Sequence, residues 1–112
     1  MPVLYEVNVD VLATLGDQYD AWWTNKHVGD MRAALHGITH VEKLDRGEVA
    51  CPEAVTDPTL RANAWRGFTF RYTVESRAQL DDYLEHRSAT LRGDAAAHFG
   101  DNFRAYRRIV DL

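Results

Sequence analysis

Two stretches of strict alternation, "VLYEVNVD" at 3–10 and "WRGFTFRYTV" at 65–74, limit the fold more than any other feature. Successive side chains of an extended chain point to opposite faces. Val3, Tyr5, Val7 and Val9 therefore share one side of the first strand, and Leu4, Glu6, Asn8 and Asp10 share the other. In the later stretch Phe68, Phe70, Tyr72 and Val74 form an apolar row, with Trp65, Gly67, Thr69, Arg71 and Thr73 opposite. A sheet with one face this apolar has to be covered, and helices on that face are the economical cover.

The segments between supply those helices. The spacing predicts a helix from about Gly16 to Leu35, closed by Gly37 in the left-handed conformation. A strand "ITHVEKL" follows at 38–44. Residues 45–63 hold two prolines, a glycine and many polar groups, which reads as a long loop or lid. Ser76 and Gln79 form a capping box, and the helix they open carries Leu80, Tyr83, Leu84, Arg87 and Leu91 on one stripe. "DAAAHFG" is expected to be a short helical turn, and "FRAYRRIVDL" a fourth strand. The order β-α-β-β-α-β is the ferredoxin-like split arrangement: an α+β fold with a four-stranded antiparallel sheet and both helices on one face.

Composition fits one domain over residues 1–112, with 46% hydrophobic and 27% charged residues. The net charge of −4 and the dispersed basic residues argue against nucleic acid as a partner, Arg104, Arg107 and Arg108 being the one basic cluster. No apolar run approaches the roughly 20 residues that span a bilayer, so no membrane partner is expected. A single cysteine, Cys51, and an alternating N-terminus in place of a signal core suggest a cytoplasmic protein.

The helix-free face mixes Leu4 and Trp65 with Glu6, Asn8 and Arg71. Trp65 and Leu4 are poorly suited to water, whereas Glu6 and Arg71 cannot enter a core unpaired. A two-fold homodimer stacking this face on its twin satisfies both, giving a dimeric α+β barrel in which Glu6 and Arg71 form an interface ion pair.

In the first helix, "AWWTNKHVGDM" at 21–31 presents a phase conflict. At about 100° per residue Tyr19, Trp22 and Trp23 fall together, but Lys26 and Asp30 then enter their sector while Met31 and Leu35 leave it. A bend or restart between Lys26 and Asp30 removes the conflict, and Gly29 is the expected break. His27 would end the first segment beside the tryptophans.

These stretches, together with "HGIT", "WRGFTFRYTVESRAQLDDYL" and "HFGDNFRAYRR", resemble a bacterial family described only as a domain of unknown function. That family is similar to the dimeric α/β-barrel superfamily that includes antibiotic-biosynthesis monooxygenases. The resemblance runs nearly end to end, interrupted by the Cys51–Pro52 loop. It implies a proline at the helix break, where this chain has Gly29, and it carries over His27, Tyr72, Phe99 and Gly100. Relatives by fold include cofactor-independent monooxygenases, lactone isomerases, polyketide cyclases and haem-degrading enzymes, with a pocket between helices and sheet.

The expected function is a small enzyme without cofactor, a monooxygenase, cyclase or isomerase, acting on an aromatic or polyketide-like molecule. His27 is the candidate general base, since a neutral imidazole can accept a proton from a phenol or activated C–H. Its other reading is a structural histidine at the helix break. Tyr72 is its catalytic companion, and Tyr5 and Tyr83 could also donate to a carbonyl or enolate, although all three lie on core stripes. Trp22, Trp23 and Phe70 are candidate walls for a planar substrate. Trp65 is either a lid-edge aromatic or a dimer anchor. The remaining histidines, His36, His40, His86 and His98, show no zinc spacing, so no metal is expected. The rival class is a non-catalytic small-molecule-binding or structural dimer.

Overall fold

A computed structural model describes residues 1–112. Its sheet contains β1 (Val3–Leu12), β2 (Ile38–Val49), β3 (Trp65–Val74) and β4 (Phe103–Asp111), all pairs antiparallel, in the order β2-β3-β1-β4. The register sets Tyr5 opposite Tyr72, Val7 opposite Phe70 and Val9 opposite Phe68, so the two apolar rows lie side by side. Helices cover that row, and Tyr5, Val9, Phe68, Phe70 and Tyr72 are buried beneath them.

The first helical arm does not break at Gly29. It runs through α1 (Gly16–Trp22), a π-helical turn (Trp23–His27) and α2 (Val28–Ala34) with right-handed helical dihedrals at both junctions. A π turn admits one extra residue, which sets everything after it back by about 100°. Met31 and Leu35 return to the buried sector, and Lys26 and Asp30 swing out to pair with each other at 2.5 Å. Insertion of a residue solves the phase conflict that a break was expected to solve. Helix α2 stops at Ala34 because Leu35 turns extended, so Gly37, although left-handed at φ 89° as expected, serves the turn into β2 and not the helix cap.

The second arm is longer than its sequence suggested. Helix α4 (Arg77–His86) opens on Ser76, whose Oγ accepts from the Gln79 backbone N–H. The chain kinks at Arg87 and resumes as α5 (Ser88–Phe99), so "DAAAHFG" belongs to a full helix. Arg87 explains the kink. Its Nε donates to the Ala34 carbonyl at 2.6 Å, and its guanidinium pairs with Asp82, clamping the end of α2 to the second arm.

Strand β2 also exceeds its expected span, continuing through Asp45–Val49. Asp45 and Gly47 read as turn residues in sequence. Here they make a β-bulge, with Gly47 at φ 72° and its N–H donated to Asp45 Oδ1 at 2.8 Å. The bulge aims Arg46 across the sheet, where it donates to Thr69 Oγ1, the Val9 and Phe68 carbonyls and Asp10 Oδ1. Gly67 makes that crossing feasible, since a Cβ there would lie 2.6 Å from the guanidinium carbon.

Between β2 and β3 a one-turn helix, α3 (Pro58–Arg61), is capped by Asp57. Arg61 donates to the carbonyls of Pro52 and Val55, and Trp65 Nε1 donates to the Leu60 carbonyl at 3.0 Å. Val55 and Trp65 are each only 1% exposed. The chain's own connection thus buries Trp65, so it is neither an exposed lid edge nor a free anchor for a second subunit.

Candidate functional site

The π turn determines where the aromatic residues of the first arm point. Trp23 packs down on the sheet, stacking on Phe70 at 4.6 Å, and its Nε1 donates to Tyr72 Oη at 3.0 Å. His27, five residues beyond Trp22 and one π turn on, stacks on that indole at 4.6 Å and 21°. Neither Trp22 Nε1 nor His27 Nδ1, both buried, has a hydrogen-bond partner in the protein.

A cavity of about 40 Å3 lies between the first arm, the second arm and the sheet. Tyr5 and Tyr72 form its floor, Met31 and Tyr83 one side, and His27 an edge. Tyr83 Oη donates to Met31 Sδ at 3.2 Å, whereas Tyr72 Oη accepts from Trp23 and keeps its own O–H free. Tyr5 Oη likewise has no partner in the chain, and its ring lies 6.1 Å from Tyr72 and 6.2 Å from Tyr83. Four phenols, Tyr19 among them, and one imidazole therefore line one small space, and only the Tyr83 proton is committed within the chain.

Burial sets the protonation of these groups. Loss of water around His27 lowers its pKa to about 4, the Asp30 carboxylate opposing that shift, so the ring is neutral at physiological pH. Desolvation raises the Tyr83 phenol to about 12 and pushes Tyr72 further still, with the Trp23 hydrogen bond opposing it. Tyr72 and Tyr83 thus keep their protons, and His27 stays a neutral imidazole, at neutral pH. No carboxylate orients the imidazole through Nδ1, which separates this site from a catalytic triad.

The structure gathers His27, Tyr72, Tyr5 and Tyr83 around the cavity. Trp22, Trp23 and Phe70 support it from behind instead, because Trp23 and Phe70 are spent on each other and Trp22 on His27. Trp65 lies across the sheet, on the face that carries Thr69 and Arg71. Beyond the expected four, the lining adds apolar residues such as Met31 and Phe103, the phenol of Tyr19, and two cations, Arg92 of α5 and Arg107 of β4. Arg107 was legible: in Phe103, Ala105, Arg107 and Ile109 it interrupts an otherwise apolar, helix-facing row.

On the opposite face Glu6 accepts from Asn8, Arg71 and Arg108, the arginine contacts at 3.1–3.2 Å. The hydrogen bond from Asn8 and those from Arg108 hold its carboxyl down at about 2. The expected Glu6–Arg71 pair thus forms within one subunit, joined by Arg108.

Fold and register define a ferredoxin-like α+β protein whose cavity lies between helices and sheet. The chain belongs to the family described as a domain of unknown function, DUF4286, whose model matches residues 2–112. Solved structures share the fold at low sequence identity. An ethyl tert-butyl ether d (EthD) family protein from Bacillus halodurans superimposes with a TM-score of 0.61 at 9% identity, with 98% of each chain covered. SnoaB, a cofactor-independent oxygenase from Streptomyces nogalater, gives 0.59 at 8% identity over 100% of this chain and 94% of that one. A dimeric ferredoxin-like protein from an uncultured marine organism gives 0.54 at 12% identity, covering 100% and 98%. Comparison with curated proteins found no match. No helix is long and apolar enough to cross a membrane.

Proposed function

We propose that the protein is a small cofactor-independent enzyme that removes a proton from an activated C–H of a small aromatic or polyketide-like molecule. One observation carries this reading. A neutral, desolvated His27 without an internal partner shares a cavity with Tyr72 and Tyr5, whose O–H groups have no acceptor in the chain. In the reaction the C–H bond breaks, its proton passes to the His27 imidazole, and the electron pair moves into the adjacent carbonyl. Tyr72 and Tyr5 then donate to the enolate oxygen, where charge develops. Oxygenation, cyclisation and isomerisation each begin with this step, oxygenation also requiring dioxygen as co-substrate. The fold shared with SnoaB, described as a cofactor-independent oxygenase, is consistent with such chemistry.

The cavity's size supports a second reading, a binding or structural protein. Its volume of about 40 Å3 is well below the ~150 Å3 that admits benzene, so a ring enters only if the walls part. Exposed Arg92 and Arg107 mark the side that must yield.

The two readings separate in deuterium exchange. The parent protein should speed exchange of the acidic C–H of 2-indanone or 2-tetralone into D2O, followed by NMR. His27→Ala should lose roughly a hundredfold of that rate, and Tyr72→Phe about tenfold. The acid limb of the rate should titrate near pH 4, the His27 value, and not near 6.5. Binding without exchange gives the non-catalytic reading.

The same fold supports a homodimer through the helix-free face. Leu44 and Tyr106 are 37% and 44% exposed there, opposite Thr69 and Asn8 of the neighbouring strands.

A further inference from the structure

We propose that the occupant of this cavity is a small carboxylate, held at the mouth by the guanidiniums of Arg92 and Arg107. The proposal rests on the reading that the cavity binds a small molecule, and it names that molecule's charge.

The arginines of the chain provide the argument. It has eleven, and eight of them donate to carboxylates, a hydroxyl or backbone carbonyls of the protein itself. Only Arg32, Arg92 and Arg107 make no hydrogen bond or ion pair within the chain. Two of these three line the cavity, from different elements, α5 and β4.

The position of Arg107 is itself unusual. It occupies a helix-facing site of β4, in a row otherwise made of Phe103, Ala105 and Ile109, across from Val7 of β1. A cation there forgoes apolar packing and gains no internal partner. Surface solvation explains many free arginines, but it does not explain one aimed along an apolar row at a cavity wall.

Nothing inside neutralises the pair. No Asp or Glu lines the cavity. The acids nearest His27, Asp30 and Asp94, are engaged by Lys26 at 2.5 and 3.6 Å. Arg107 is close enough to depress the titration of Tyr19, His27 and Tyr83, so its field reaches the interior. Two planar guanidiniums lining one cavity from two elements suit a two-oxygen anion, which each can bind bidentately. The phenols and His27 are left for the uncharged, reactive end of the same molecule.

Paired ligands test this by isothermal calorimetry, with NMR shifts of Ala105 and Tyr83 placing the binding in the cavity. Benzoate and acetoacetate are compared with benzamide and acetoacetamide, which keep shape and lose charge. Acids should bind at least tenfold more tightly than amides, a gap that narrows with added salt. Arg107→Gln and Arg92→Gln should each remove most of that preference, while Arg32→Gln, which alters the third free arginine, should leave it intact. Equal binding of acid and amide, or a preference that survives both variants, overturns the proposal and leaves the cavity-binding reading standing. If neither member of either pair shifts Ala105 or Tyr83, the cavity-binding reading fails and the proposal with it. Unchanged melting temperatures of the variants show that any loss comes from the charge.

Discussion

The rings of Trp22 and His27 stack at 4.6 Å, and each of them buries a nitrogen that no protein group satisfies. A buried polar atom without a partner lowers stability by about 1–3 kcal/mol, and an aromatic ring of similar shape would not incur that loss. His27→Phe should therefore raise stability by about 1 kcal/mol in urea denaturation at pH 7, while abolishing exchange activity. A loss of about 2 kcal/mol or more would instead show that His27 holds a structural hydrogen bond.

The acid limb of stability should separate two groups. His27 titrates near 6.5 unfolded and near 4 folded. Above pH 7 it is neutral in both states and contributes nothing to the pH dependence. As the pH falls from 6.5 to 4 the unfolded chain takes the proton first, so the native state is progressively disfavoured. Glu6 behaves in the opposite sense, at about 2 folded against 4.5 unfolded. Its stabilisation is complete above 4.5 and is lost as the pH falls towards 2. Chemical denaturation across pH 2–8 should show His27→Phe flattening the upper window alone and Glu6→Gln the lower window alone.

Trp65 should prove structural. Its indole is buried under residues 50–64 and bonded to the Leu60 carbonyl. Trp65→Ala should cost about 3–5 kcal/mol and expose that connection to limited proteolysis, whereas Trp65→Phe should cost about 1–2 kcal/mol. Neither should alter the preference for acid over amide ligands, because the cavity lies across the sheet.

Much of this architecture was legible from period-two alternation. The rows Val3–Val9 and Phe68–Val74 show which face is covered, and Ser76 marks the start of α4. What escaped reading had local physical causes. A helix can restore its phase by breaking or by admitting one residue, and Gly29 pointed to the first whereas Trp23–His27 adopt the second. Asp45 and Gly47 carry turn chemistry that a bulge uses equally well. Residue type and face point to His27, Tyr5, Tyr72 and Tyr83, and all four line the cavity. Trp22, Trp23 and Phe70 were credible walls because aromatic rows look alike in sequence, and only the pairing of rings shows that they back the cavity. In sequence Arg92 reads as a charge suited to the end of a helix, and that role carries no sign of a cavity.

The helix-free face gives the last expectation. Glu6, buried between Arg71 and Arg108, already satisfies its charge within one subunit, so a partner need not supply ions. Leu44 and Tyr106 remain as large apolar groups in water on the outer strands β2 and β4. A two-fold partner stacked on this face would bury both, and the polar network between them would then set its orientation. Light scattering at micromolar concentration should give twice the 12.8 kDa chain mass. Leu44→Glu with Tyr106→Glu should shift the protein to monomer without lowering monomer stability by more than about 0.5 kcal/mol, since both side chains are exposed. A parent protein that is already monomeric would leave the face solvated and place all binding within the single-subunit cavity.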